Sequence, residues 1–351
     1  MDTLYPQGVA LVQWLQQTYP NIEQIMVGVS ALGNFEFYLL LLTLLYWSVD
    51  KQIGRTLALL IILNGAVNGI LKAVVQGARP FWFDEAVALG ETARYGAPSG
   101  HMQLATVFIF FLAMKLNNTV VWVLAFLYAF LMGFSRVYLG VHFVQDVIAG
   151  AAVAIFSLFA YVYWSQYGSK QFAYPMLGQR LLAAMVIPVS LFVIYVLATQ
   201  LVGSPDLSDE LVRTAEYETQ DQIAQSLGLL LGASLGFVFE MNRVWMLTAG
   251  SLLQRLVRWI IGLAGAIVIW QGVKLLLGEN NVQDVRPLAF GLRALRYTLL
   301  GAWVAFYAPQ LFIWMRLAYR APESESSITF RDAHYRSPQS KQRKKWFTWL
   351  D

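Results

Sequence analysis

The chain has 351 residues, a formal net charge of +4 and no cysteine; 58% of it is hydrophobic and only 13% charged, with a mean hydropathy of +0.52. A soluble domain carries about 25% charged residues, so this composition excludes an ordinary soluble enzyme and indicates a polytopic helical membrane protein. The apolar runs are continuous rather than alternating, which argues against a transmembrane barrel, and the lack of cysteine excludes disulfide and thiolate chemistry.

Residues 1–30 read as a leader. Val9, Leu11, Val12, Trp14 and Leu15, then Pro20, then Ile22, Ile25 and Met26 suggest a short interfacial helix. Apolar runs then predict nine spans, at about 31–49, 56–71, 101–116, 119–134, 143–164, 181–202, 224–239, 257–277 and 288–314. In the second span Asn64, Asn68 and Lys72 lie four apart and share one face, which should turn to the bundle interior. The stretch 203–221, rich in Asp and Glu, reads as a solvated connection. Residues 317–351 read as a polar tail with a basic end, Lys341 to Lys345, suited to anionic headgroups.

Lys and Arg outside the polar clusters divide sixteen to six between the two sides, with eight of the sixteen in 315–351. The excess marks the cytoplasmic side and puts the C-terminus inside.

Three polar clusters interrupt the hydrocarbon: Lys72 to Arg79-Pro80; Pro98-Ser99-Gly100-His101; and Ser135-Arg136 followed by His142 and Asp146. Charge in such a setting is costly and marks function. Counting spans brings all three clusters to one face, because two passes separate His101 from Ser135. Lys72, Arg79 and Arg136 supply cations suited to the oxygens of a phosphoryl group in transfer. Ser99 and Gly100 lead into a helix start that can cradle an anion, and His101 sits there to protonate a leaving alkoxide. His142 and Asp146, at i and i+4, should share a helix face, with the carboxylate on Nδ1 and Nε2 left as nucleophile. Glu36, Asn68 and Trp82 are candidate pocket residues, and the two-residue His142–Asp146 pair is too small to read as a metal site.

At these residues the chain resembles the type 2 phosphatidic acid phosphatase superfamily, whose Lys-x6-Arg-Pro, Pro-Ser-Gly-His and Ser-Arg-x5-His-x3-Asp motifs occur here without substitution. The resemblance covers about 31–165. It implies an all-α polytopic membrane protein with a six-helix phosphatase core over 31–202, further helices over 203–316 and a cytoplasmic tail. It also implies His142 as a nucleophile forming a phosphohistidine, Asp146 as its orienting partner and His101 as general acid and then base. Lys72, Arg79, Ser99, Gly100 and Arg136 would bind phosphoryl oxygens, with no metal or cofactor. The expected partners are the bilayer and a phosphorylated lipid or small molecule, not nucleic acid, with the site on the non-cytoplasmic face. The expected substrates are lipid or isoprenoid phosphates or pyrophosphates. A glucose-6-phosphatase-like enzyme, a phosphotransferase using the same phosphohistidine, and a non-catalytic phosphate binder or transporter are the alternatives; the nine spans favour the sugar-phosphate branch and Asp146 the lipid branch.

Overall fold

The computed structural model describes residues 4–90, 92–168, 176–203, 205–278 and 285–321. The basic segment of the tail lies outside the described residues. Twelve α-helices make up the described architecture: α1 Leu4–Thr18, α2 Glu23–Ala31, α3 Phe35–Leu44, α4 Lys51–Val75, α5 Gly100–Leu116, α6 Thr119–Tyr138, α7 Val144–Tyr163, α8 Leu177–Val202, α9 Glu210–Phe239, α10 Leu252–Leu276, α11 Arg286–Ala302 and α12 Ala308–Trp314. The protein is an all-helical membrane bundle.

Among the described residues, six stretches are long and apolar enough to cross a bilayer: Lys51–Trp82, Thr119–Tyr138, Val144–Gly168, Leu177–Val202, Glu210–Val244 and Leu252–Leu276. Pro20–Ala31 and Phe35–Val49 together make a seventh, bent by 49°. Length and composition therefore do not reproduce the count of nine. Gly100–Leu116 is apolar but short, and the last predicted span runs as one helical stretch with wide π turns at Trp303–Tyr307 between α11 and α12.

The leader, read as an interfacial helix, packs on the bundle, and one expectation changes. Val12 is fully buried, and Gln16 donates to the carbonyls of Val87 (3.0 Å) and Tyr138 (2.8 Å), so α1 straps the insertion between α4 and α5. The acidic stretch 203–221 is not a connection along its whole length, because α9 begins at Glu210. Asp209 caps it, accepting from Leu211 N at 2.8 Å. Its carboxylates also find partners: Asp221 pairs with Arg286 at 3.2 Å and Arg293 at 2.5 Å.

Parallel helices α9 and α11 pack closely because Gly228, Gly232 and Gly236 line one face of α9. A Cβ on Gly228 or Gly232 would strike the carbonyl of Ala294 or Thr298, and one on Gly236 the Ala305 side chain. Small residues at this spacing let helix backbones approach in a membrane. Far from the polar clusters, Trp47 donates to Val304 O (3.0 Å), Tyr46 to Ala305 O (3.0 Å), and Lys51 Nζ meets the fully buried Glu240 at 2.5 Å. These contacts fasten α3 and α4 to the C-terminal helices.

Candidate active site

The three polar clusters converge at one end of the bundle. Lys72 lies in the last turn of α4 and is 2% exposed. Its ammonium donates to the carbonyls of Tyr95 and, at 2.8 Å, Gly96. Arg79 follows the helix and is equally buried. Its guanidinium donates to the carbonyls of Arg94, of Val141 (2.5 Å) and of Tyr95 (2.8 Å), and its NH1 stands 3.4 Å from His142 Nε2. The backbone just before the second cluster thus holds both cations of the first.

Ser99 is the N-cap residue of α5, but its side chain makes no capping bond. Its hydroxyl is fully buried and has no hydrogen-bond partner. The backbone N–H of Ser99 donates to Asp146 O at 2.9 Å, tying the second cluster to the third. His101, in the first turn of α5, packs against Gly33, where any Cβ would run into the imidazole. The bend between α2 and α3 brings Asn34 to His101, with Asn34 Oδ1 3.0 Å from His101 Nε2. Arg136, near the C-terminal end of α6, donates through NH1 to Ser30 Oγ, while its buried Nε has no partner.

His142 does not share a helix face with Asp146. It precedes α7, whose N-cap is Phe143. The pair meets because Asp146, three residues beyond the N-cap, turns back. Its Oδ2 accepts from Phe143 N at 3.0 Å and faces His142 Nδ1 at 3.4 Å. Arginine is only a donor, so a contact to Nε2 requires that nitrogen to carry a lone pair and leaves the proton on Nδ1, toward Asp146. Burial, followed by Arg79, Lys72 and Arg136, holds the His142 pKa well below its ordinary value.

A cavity of about 1240 Å³ opens beside these groups. Lys72, Arg79, Gly100, His101, Arg136 and His142 line it, as do Glu36 and Asn68. Trp82 is not on its wall; it packs on Tyr95, 6.3 Å between ring centroids, and the neighbouring Phe81 reaches the cavity. Asn68 donates to Pro98 O (3.1 Å) and Gln103 Oε1 (2.9 Å) and accepts from Gln222 at 3.1 Å. Sequence reasoning missed Ser30, Asn34, Gln103, Arg94 and Gln222. Gln103, an amide inside an apolar helix, carried a legible signal; the others meet the site only through tertiary structure.

A profile for the PAP2 superfamily matches residues 54–170, and one for a PAP2 superfamily phosphatase transmembrane extension matches 224–320. Phosphatidylglycerophosphatase B of Bacillus subtilis is 30% identical over 153 residues, covering 40% of this chain and 73% of that protein. The chain belongs to the PAP2 superfamily. Sphingosine-1-phosphate phosphatase 2 of Mus musculus is 28% identical over 156 residues, 42% of this chain, and the match spans less than half (44%) of the mouse protein. The crystal structure of a Bacillus subtilis PAP2-type phosphatidylglycerolphosphate phosphatase aligns with a TM-score of 0.41 and 24% identity, over 47% of this chain and 88% of that one. The PAP2 match takes in α4 to α7, and the extension match accounts for α10 and α11, which the motifs left unexplained.

Proposed function

We propose that this PAP2 protein hydrolyses phosphate monoesters or pyrophosphates of lipids or isoprenoids, without a metal, through a phosphohistidine on His142. The observation that carries the reading is the His142 environment: Nε2 stands 3.4 Å from the Arg79 guanidinium, and Nδ1 3.4 Å from the Asp146 carboxylate. A substrate phosphoryl group entering there takes over the Arg79 contact. Lys72 and Arg136, with the unpartnered Ser99 hydroxyl and Arg136 Nε, add donors for its equatorial oxygens.

His142 Nε2 attacks phosphorus, the bond to the leaving oxygen breaks, and His101 gives that oxygen its proton. His101 then removes a proton from water, which attacks phosphorus and breaks the P–N bond. Inorganic phosphate leaves and His142 is restored. The names of the relatives, a phosphatidylglycerophosphatase and a sphingosine-1-phosphate phosphatase, support a lipid substrate. The Lys/Arg asymmetry supports a site facing away from the cytoplasm.

The test is phosphate release in nanodiscs from phosphatidate, phosphatidylglycerol phosphate, sphingosine 1-phosphate, undecaprenyl pyrophosphate and glucose 6-phosphate. Release from a lipid, lost in His142→Ala, is the expected result. Release from glucose 6-phosphate alone overturns the lipid assignment, and full activity in His142→Ala overturns the mechanism.

A further inference from the structure

The cavity is much larger than a phosphate needs, and its far part has a different character. From the cations it runs along α4 from Lys72 to Ala58, and along α9 from Glu218 to Phe237. These are steps of fourteen and nineteen residues, or about 21 and 28 Å at 1.5 Å per residue. Lining residues recur along both helices, so the trough follows their axes for about 21 Å or more of a hydrocarbon core about 30 Å thick.

The lining changes along the way. Near the cations stand Glu218, Asp221, Gln222 and Gln225; beyond them come Leu42, Ile61, Ile62, Leu229, Ala233 and Phe237. One wall belongs to α3 and α4, next to the phosphate site. The other belongs to α9, α10 and α11, through residues such as Trp270 and Tyr297. A cavity with three cations at one end and aliphatic walls at the other matches an amphiphile with a phosphate head and a hydrocarbon tail.

We infer that the trough between α3–α4 and the C-terminal helices is the subsite for one hydrocarbon chain of the substrate, so that the extension selects chain length. The inference rests on the phosphatase reading above. It gives the C-terminal helices a direct contact with substrate: the tail lies inside the protein along α4, and the polar collar at Glu218–Gln225 surrounds the segment joining tail to phosphate.

The test uses water-soluble alkyl phosphates from butyl to dodecyl, because a tail already dissolved in lipid gains little by moving to another apolar site. A tail taken from water gains up to about fourfold in affinity for each methylene buried. In nanodisc-held protein, kcat/KM should rise with chain length and then level off. Ile62→Trp blocks the trough about 15 Å from Lys72, and should lower the dodecyl-to-butyl ratio of kcat/KM at least tenfold. Leu229→Ala, which widens the trough, should move the plateau to longer chains. The ratio is read within one preparation, so a partly misfolded variant does not mimic the effect. A wild-type response flat with chain length, or the same plateau in all three proteins, overturns the tail subsite while leaving the phosphatase reading intact. No turnover of any alkyl phosphate or lipid by the wild type overturns both.

Discussion

Replacing Asp146 by Asn separates the charge of this residue from its shape. Asn retains an oxygen for the Phe143 N–H, now bonded at 3.0 Å, so the start of α7 survives. What disappears is the carboxylate 3.4 Å from His142 Nδ1. In the proposed mechanism, phosphorylation at Nε2 makes the imidazole cationic, and the carboxylate stabilises that cation. At an effective dielectric of ~20 the Coulomb energy at this separation is about 5 kcal/mol, an upper figure. A hydrogen bond to a charged group nets about 1.5–3 kcal/mol. At one decade per 1.36 kcal/mol, kcat should fall by about 10–10². The assay is steady-state phosphate release in nanodiscs, with thermal unfolding recorded on the same samples. Asp146→Asn should melt close to wild type, whereas Asp146→Ala should lose about 1 kcal/mol with the cap. A kcat for Asp146→Asn within threefold of wild type would refute the electrostatic role, because the amide preserves everything else Asp146 does.

Other consequences can be tested with the same preparations. Labelled phosphate should be trapped on His142 and not on His101 after acid-free quenching and peptide mapping; label on neither sinks the covalent route. Because burial and the surrounding cations depress the His142 pKa, the imidazole stays neutral below its ordinary pKa of 6.5, and protonation of His142 should limit kcat/KM only at more acidic pH. An acid limb at pH 7 that vanishes on Arg79→Met would contradict this assignment. Lys51→Met strands the buried Glu240 carboxylate and should cost about 3 kcal/mol, read as a lower unfolding midpoint, with Lys51→Met/Glu240→Leu more stable than the single variant. Gly232→Val forces a side chain against the Thr298 carbonyl and should destabilise the α9–α11 contact by about 1–3 kcal/mol, measurable the same way.

The candidate site was legible in the sequence because its residue types are costly in hydrocarbon: a Lys, two Arg and two His among apolar spans announce themselves. Span counting was enough to bring His101 and His142 to one end. It could not reveal how His142 meets Asp146, since the i,i+4 spacing suggests a shared helix face and the observed contact comes from a capping carboxylate turning back. Nor could it reveal Ser30 and Asn34, which read as leader and helix start and reach Arg136 and His101 only because the chain bends at Leu32–Asn34. Asp221, at the end of the acidic run, looked solvated because its partners, Arg286 and Arg293, lie more than sixty residues away in sequence. The Gly228-x3-Gly232-x3-Gly236 spacing is legible as a close-packing face, but that it meets α11 is set by tertiary structure.

How the cations are held bears on what the site can bind. Lys72 and Arg79 are fixed by backbone carbonyls, and Arg136 by a hydroxyl. None of the three has a salt bridge to a carboxylate among the described residues. Dipoles orient a buried cation without cancelling its charge, so the pocket keeps a positive excess that a phosphate dianion can neutralise. Had Asp or Glu side chains paired with these cations, an arriving phosphate would have had to displace them and leave buried carboxylates unpaired, at several kcal/mol each. The nearest carboxylate, Asp146, instead faces Nδ1 of His142, on the side of the ring away from Nε2. In the proposed mechanism, anion binding and activation of the nucleophile therefore rest on the same separation: positive charge around Nε2, negative charge behind Nδ1.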